Sequence, residues 1–150
     1  MTAIRALALV ASALVSIGVA RAEATIANAW MRPAAAGAAS ADAYADVRVD
    51  APATLVAVRT PAASRVDIVV HDPRDPSSVP RVVDKLAIPA GETRFALKGS
   101  VLRLVGVKST IASGDAVPLR FELVDASGKA HAVEAKVQVR GLISPPAAMR

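Results

Sequence analysis

The chain has 150 residues, a formal net charge of +5, no cysteine, and 53% hydrophobic but only 3% aromatic residues. Without cysteine it has neither disulfides, nor a blue-copper centre, nor a thiol nucleophile. The basic residues are scattered, and few aromatic side chains are available to stack on bases, so the composition does not fit a nucleic-acid-binding protein. Stability must come from an apolar core, which a domain of this length is able to bury.

The first 22 residues have the character of a signal peptide. Residues 1–5 carry a positive charge, residues 6–19 are mostly apolar, and Ala20-Arg21-Ala22 fits an A-x-A cleavage site. Cleavage would remove two of the 18 basic residues and lower the formal net charge from +5 to +3. No stretch is long enough to cross a bilayer. The sequence therefore predicts a periplasmic protein without a membrane span, with one domain at residues 23–140 and a flexible tail at 141–150.

Short segments of alternating apolar and polar residues, separated by Gly, Pro and Asp, predict β-strands. The small residues at 33–43 predict a loop, and Leu97 is expected to point into the core. Leu102 and Leu104 are also expected to face the core, which places Arg103 on the opposite face. The predicted strands are residues 43–49, 53–60, 66–71, 93–97, 101–105, 118–124 and 130–139, the last two forming a hairpin. No helical pattern occurs, so the sequence predicts an all-β antiparallel sandwich or small barrel.

Several short motifs occur in the order found in one protein family. They lie at residues 29–32 (Ala-Trp-Met-Arg), 60–68, 86–93, 97–99 and 114–119 (Gly-Asp-Ala-Val-Pro-Leu). This series resembles the periplasmic copper(I) chaperones called PCu(A)C. The resemblance implies a single cupredoxin-like Greek-key β-sandwich or barrel, copper(I) as the bound ion, and a periplasmic protein partner in the assembly of the copper site of respiratory oxidases.

The copper motif of that family, His, Met and a closing His-x-Met, is degenerate in this chain. Val101 and Arg103 occupy the closing pair, and the middle Met falls at Val79 or Pro80. The first His falls on Val69 in an ungapped match, or on His71 after a shift of two residues. Copper(I) prefers thioether, imidazole or thiolate donors, and neither valine nor a protonated guanidinium supplies one.

Two metal ligands remain as candidates, His71 at a strand end and Met31 beside Trp30. The alternatives are an exposed histidine without a ligand role, and a methionine that fills space in the core. Trp30 is predicted to be a core residue. Asp72 and Asp75 fit turn-forming positions better than a metal site, and His131 fits a partly exposed residue of the hairpin.

No catalytic constellation is recognisable. The sequence lacks the G-x-S-x-G, H-E-x-x-H and glycine-rich phosphate-binding motifs, and Ser127 and His131 have no orienting acid within a known pattern. Two functions therefore remain: copper(I) handling through a remodelled site, and a metal-free binding module. The second would present Val69, Val101, Arg103 and Val105 to a periplasmic protein as a surface patch.

Overall fold

A computed structural model describes residues 23–72 and 74–141 of the chain. The predicted signal peptide and most of the predicted tail lie outside these ranges, so both stay predictions. Within them there is no helix of the length and apolar character needed to cross a membrane. The structure has ten strands: β1 (Ala24–Met31), β2 (Ser40–Val49), β3 (Ala53–Arg59), β4 (Ala63–Val70), β5 (Arg81–Val83), β6 (Leu86–Ile88), β7 (Gly91–Phe95), β8 (Val101–Val107), β9 (Ala116–Asp125) and β10 (Ala130–Val139).

The strands form one sheet in the order β5-β4-β8-β2-β1-β10-β9-β3-β6, and β7 also pairs with β2. The β1–β10 pair is parallel and the other strand pairs are antiparallel. The sheet curls until β3 contacts β4, which gives a nearly closed barrel. The predicted all-β fold is therefore confirmed.

The core lies inside this barrel and contains no charged or polar residue among those described. Strand alternation explains its composition, because every second side chain of a strand faces inward. On the hairpin, Phe121 is opposite Val133 and Leu119 is opposite Ala135, as predicted. The largest fully buried side chains are Phe95, Phe121, Met31, Leu55, Ile88, Leu102, Leu104 and Leu119.

The first strand differs from the sequence-based expectation. No strand is predicted over residues 24–31, yet β1 covers them, with a register shift between Ala27 and Trp30. Asn28 lies in this irregular segment with a φ of 51°, a conformation that asparagine tolerates better than most residues. Met31 is fully buried in the main core, so the preceding Trp30 lies on the outer face. Trp30, predicted to be a core residue, is therefore only partly buried and packs against a second hydrophobic cluster outside the main core.

The turn after β7 also differs from the prediction. The strand ends at Phe95, and the Gly99 amide then donates to the Ala96 carbonyl in a turn where Lys98 has a φ of 62°. Leu97 lies within this turn and is 49% exposed, so its predicted inward orientation is wrong. The start of β2 at Ser40 likewise places the end of the predicted 33–43 loop within the sheet.

Asp125 organises the turn between β9 and β10. Its carboxylate accepts hydrogen bonds from the Ser127 and Lys129 amides at 2.9 and 3.0 Å, from the Ser127 hydroxyl, and from His131 Nε2 at 2.8 Å. Ser127 and His131 therefore bind the same carboxylate, an arrangement that fixes the turn rather than activating a serine. The Ser127 hydroxyl and then His131 lower the pKa of Asp125 well below its ordinary value.

This lowered pKa makes the stability of the hairpin depend on pH. A carboxylate with a lower pKa in the folded state stabilises that state above its unfolded pKa of about 3.9, and the contribution is lost as the pH falls further. We expect the unfolding temperature to decrease as the pH falls below about 4, and to vary less with pH in Asp125→Asn. Thermal unfolding followed by circular dichroism would measure both, and equal pH profiles would contradict this role of Asp125.

Candidate functional site

A cavity of about 650 Å³ lies on the outer face of the sheet, over β2, β4 and β8. Five of the positions matched to the copper motif line it: Val69, His71, Pro80, Val101 and Arg103. Val79, the other candidate for the middle position, is 83% exposed and does not line the cavity. The fold therefore gathers residues far apart in sequence at one place.

Strand pairing explains how these residues meet. Val69 of β4 is directly opposite Val101 of β8, and Arg103 lies on the same face of β8 two residues further on. Arg103 is in turn opposite Asp67 of β4 on one side and Asp42 of β2 on the other. The floor of the site thus has an apolar row beside a row of charged residues.

The apolar row forms a second, small core outside the barrel. Tyr44, Val69 and Val101 are buried, and Trp30 packs on Tyr44 with ring centroids 4.6 Å apart and planes inclined by 37°. Val69 and Val101 are only 3% and 8% exposed. The two valines are therefore too deeply buried to form the predicted surface patch with Arg103 and Val105. Pro76 and Pro80 of the loop after β4, and Leu97, line the same cavity.

Arg103, which is matched to a ligand position of the copper motif, is held by an ion pair. Its Nε donates to Asp42 Oδ1 at 2.9 Å and its Nη2 donates to Asp42 Oδ2 at 3.4 Å. These hydrogen bonds raise the pKa of Arg103, so its charge is permanent. A fork-shaped contact of this kind fixes the orientation of the side chain as well as its charge. Arg103 has no lone pair to offer a metal ion.

Tyr44 contributes a hydroxyl group to the same cavity. Burial, and then the charge of Asp42, raise the pKa of the Tyr44 phenol, while Arg32 and Arg103 oppose this shift. The phenol is therefore protonated at neutral pH and can donate a hydrogen bond to a ligand. Neither Tyr44 nor Asp42 is a sequence-based candidate, although both lie on the same face of β2 and Asp42 pairs with Arg103.

His71 lies where β4 gives way to the loop, and its backbone amide donates to Ser100 Oγ at 3.3 Å. Its Nδ1 atom is buried and has no hydrogen-bond partner among the described residues. A buried ring nitrogen without a hydrogen-bond partner costs free energy unless a ligand binds it. Among the motif positions that line this cavity, His71 is the one with such an atom in the described part of the chain. Its ligand role stays a prediction.

Met31 lies elsewhere. It is fully buried in the main core and does not line the cavity that contains His71. The structure therefore does not bring the two predicted metal ligands together at this cavity. Met31 as a ligand likewise stays a prediction, and its surroundings are those of a methionine that fills the core.

The donor atoms at this cavity do not fit copper(I). One imidazole remains, and the other matched positions present two valines, a proline and a guanidinium already bound to a carboxylate. No group of three or more His, Cys, Asp or Glu suited to a metal ion occurs in the part of the chain described. A soft ion needs several soft donors at once, and this arrangement provides one.

A family model described as putative lipoprotein LpqE-like matches residues 24–139, and no curated protein matches the chain. Among solved structures, the copper-bound PCuAC domain from PmoF2 is 21% identical with a TM-score of 0.56, covering 79% of this chain and 96% of that domain. The copper(I) form of DR1885 from Deinococcus radiodurans is 24% identical with a TM-score of 0.54, covering 79% of this chain and 81% of that one. These similarities confirm the predicted resemblance and its fold.

Proposed function

Because the chain belongs to the LpqE-like family of putative lipoproteins, we propose that it is an exported binding protein that works without copper at the position inherited from PCu(A)C-type domains. The observation that carries this proposal is the Arg103–Asp42 ion pair at a former ligand position, beside Val69 and Val101. Loss of donors alone would leave a defective metal site. Their replacement by a bound ion pair and a packed apolar row is typical of a site for other ligands.

We propose the periplasm as its compartment, for two reasons. The matched family is described as lipoproteins, and residues 1–22 have the pattern of an export signal. The chain also lacks cysteine, so the oxidising conditions outside the cytoplasm pose no risk to a free thiol. A binding role is preferred to an enzymatic one because the cavity combines apolar walls with a few polar groups and lacks an activated nucleophile.

The proposal is tested by photo-crosslinking in living cells. A photoreactive amino acid at Leu97, on the exposed rim of the cavity, should give discrete adducts with one or a few exported proteins. The same amino acid at Glu134, exposed on β10 away from the cavity, is the matched control. We expect the Leu97 adducts to persist when copper is removed from the medium by a chelator. Adducts that are equal at both positions, or that disappear without copper, would contradict a copper-independent module.

Copper(I) handling through His71 is the second candidate. The observation in its favour is the buried Nδ1 atom without a partner among the described residues, in a cavity lined by positions matched to the copper motif of the family. One imidazole and a ligand from outside the described residues, or from a partner protein, would be needed for a two-coordinate site. In that case the protein would carry copper(I) to the copper site of an oxidase, as the resemblance implies.

A further inference from the structure

The cavity over β8 is the central part of a longer groove. A second cavity of about 360 Å³ shares Asp42 and Tyr44 with it, and a third of about 300 Å³ shares Tyr44 and Leu97. Tyr44 therefore lies at the point where all three adjoin. The groove continues past Arg32 on one side and past the Trp30 ring on the other.

The floor of this groove is an apolar row that crosses neighbouring strands. Trp30 of β1 is opposite Tyr44 of β2, and Val101 of β8 is opposite Val69 of β4. Adjacent strands are about 4.8 Å apart, so the four strands span about 14 Å, the length of about four extended residues. An extended chain fits these dimensions better than a compact small molecule.

The charges along the groove are mainly positive. Four cations line it, Arg32, Arg94, Lys98 and Arg103, against the carboxylates of Asp42 and Asp46. Both carboxylates are already bound, Asp42 by Arg103 and Asp46 by Arg94. Asp67, opposite Arg103 on β4, is bound by Arg65. Among the described residues, Arg32 and Lys98 form no ion pair and are exposed.

A fifth cation reinforces this asymmetry. The Arg140 guanidinium lies 5.9 Å from the centroid of the Trp30 ring, and it too forms no ion pair with a described residue. Arg32, Lys98 and Arg140 thus leave positive charge around an apolar floor. Charge of one sign along a groove selects partners of the opposite sign and accelerates their association.

From this combination we infer that the groove binds an extended, acidic segment of a partner protein, with apolar side chains packed against Trp30 and the exposed Leu97 beside Tyr44. The inference rests on the proposed function and names the chemistry of its partner. The carboxylates of the segment would meet Arg32, Lys98 and Arg140, while its apolar side chains would displace water from the cavity walls.

The test uses a fluorescein-labelled synthetic peptide that alternates Glu with Leu, compared with versions that carry Lys for Glu or Ser for Leu. We expect the Glu and Leu peptide to bind at least about tenfold more tightly than either, and more weakly at higher salt concentrations. The double variant Arg32→Glu with Lys98→Glu should weaken binding by about tenfold or more. The matched control is Lys129→Glu with Lys136→Glu, which changes the net charge equally on the exposed β9–β10 hairpin.

Equal affinity for the three peptides, or an equal effect of the two double variants, would overturn the inference. Binding of the protein to vesicles containing an anionic lipid, without binding of any peptide, would overturn it in favour of a membrane surface. If the peptides fail while crosslinks from Leu97 persist, the acidic partner is wrong and the proposed function stands. If the crosslinks from Leu97 also fail to form, both the acidic partner and the proposed function are wrong.

Discussion

Restoring donor atoms in the cavity is expected to create a copper(I) site where the present chain has none of comparable affinity. The triple variant Pro80→Met, Val101→His and Arg103→Met would add two thioethers and one imidazole beside His71, all at positions that line one cavity. Because copper(I) prefers such donors, we expect its affinity to increase by at least about a thousandfold, which corresponds to about 4 kcal/mol. Competition with a chromogenic copper(I) chelator would measure the increase.

The matched control keeps the imidazole and removes the sulfur, with Pro80→Leu, Val101→His and Arg103→Leu. Adding His71→Ala to the triple variant then tests the register, because affinity should fall if His71 is the first ligand and stay constant if Val69 occupies that position. A triple variant that binds copper(I) no better than its control would contradict the view that this cavity corresponds to the inherited copper position.

Met31→Ala is expected to destabilise the protein strongly, by about 2–5 kcal/mol in free energy of unfolding. Met31 is fully buried among the side chains of the main core, so truncation removes apolar contacts and leaves a cavity. Urea unfolding at equilibrium would measure the loss.

Met31→Leu is the control, since it keeps nearly the same volume without the sulfur. We expect it to cost less than about 1.5 kcal/mol and to leave any copper(I) affinity unchanged. Near-native stability of Met31→Ala would contradict this packing role, and loss of copper(I) binding in both variants would show instead that Met31 is a metal ligand.

Much of the fold could be predicted from strand alternation. The pattern of Leu102 and Leu104 against Arg103 placed β8 correctly, and the hairpin of β9 and β10 has the predicted pairing of Phe121 with Val133. In these segments the local pattern and the global fold agree. The strand at residues 24–31 was not predicted, because the irregularity at Asn28 interrupts the alternation of inward and outward side chains.

The site was harder to predict than the fold. The motif order singles out Val69, Val101 and Arg103, and all three line one cavity. The burial of the two valines could not be predicted, because it depends on their packing with Tyr44 of β2. The ion-pair partner of Arg103 could not be predicted from the sequence either. Asp42 lies 61 residues away in sequence, and only the pairing of β2 with β8 brings the two together.

The Arg103–Asp42 ion pair determines which ligands the cavity can bind. A cation alone at a former ligand position would repel a metal ion, but bound to Asp42 it becomes a fixed, directional group beside an apolar floor. The residues of this cavity lie on the outer face of the sheet, so they can change without changing the main core. The groove around Tyr44 is consistent with such a change.

The most direct test is a competitive copper(I) titration of the protein under reducing conditions, with wild type and His71→Ala compared. The account predicts that neither protein takes copper(I) from a chelator that detects affinities tighter than about micromolar, because a single imidazole is too weak a site. Sub-micromolar binding by the wild type that His71→Ala abolishes would contradict it, and would establish copper handling through His71 instead.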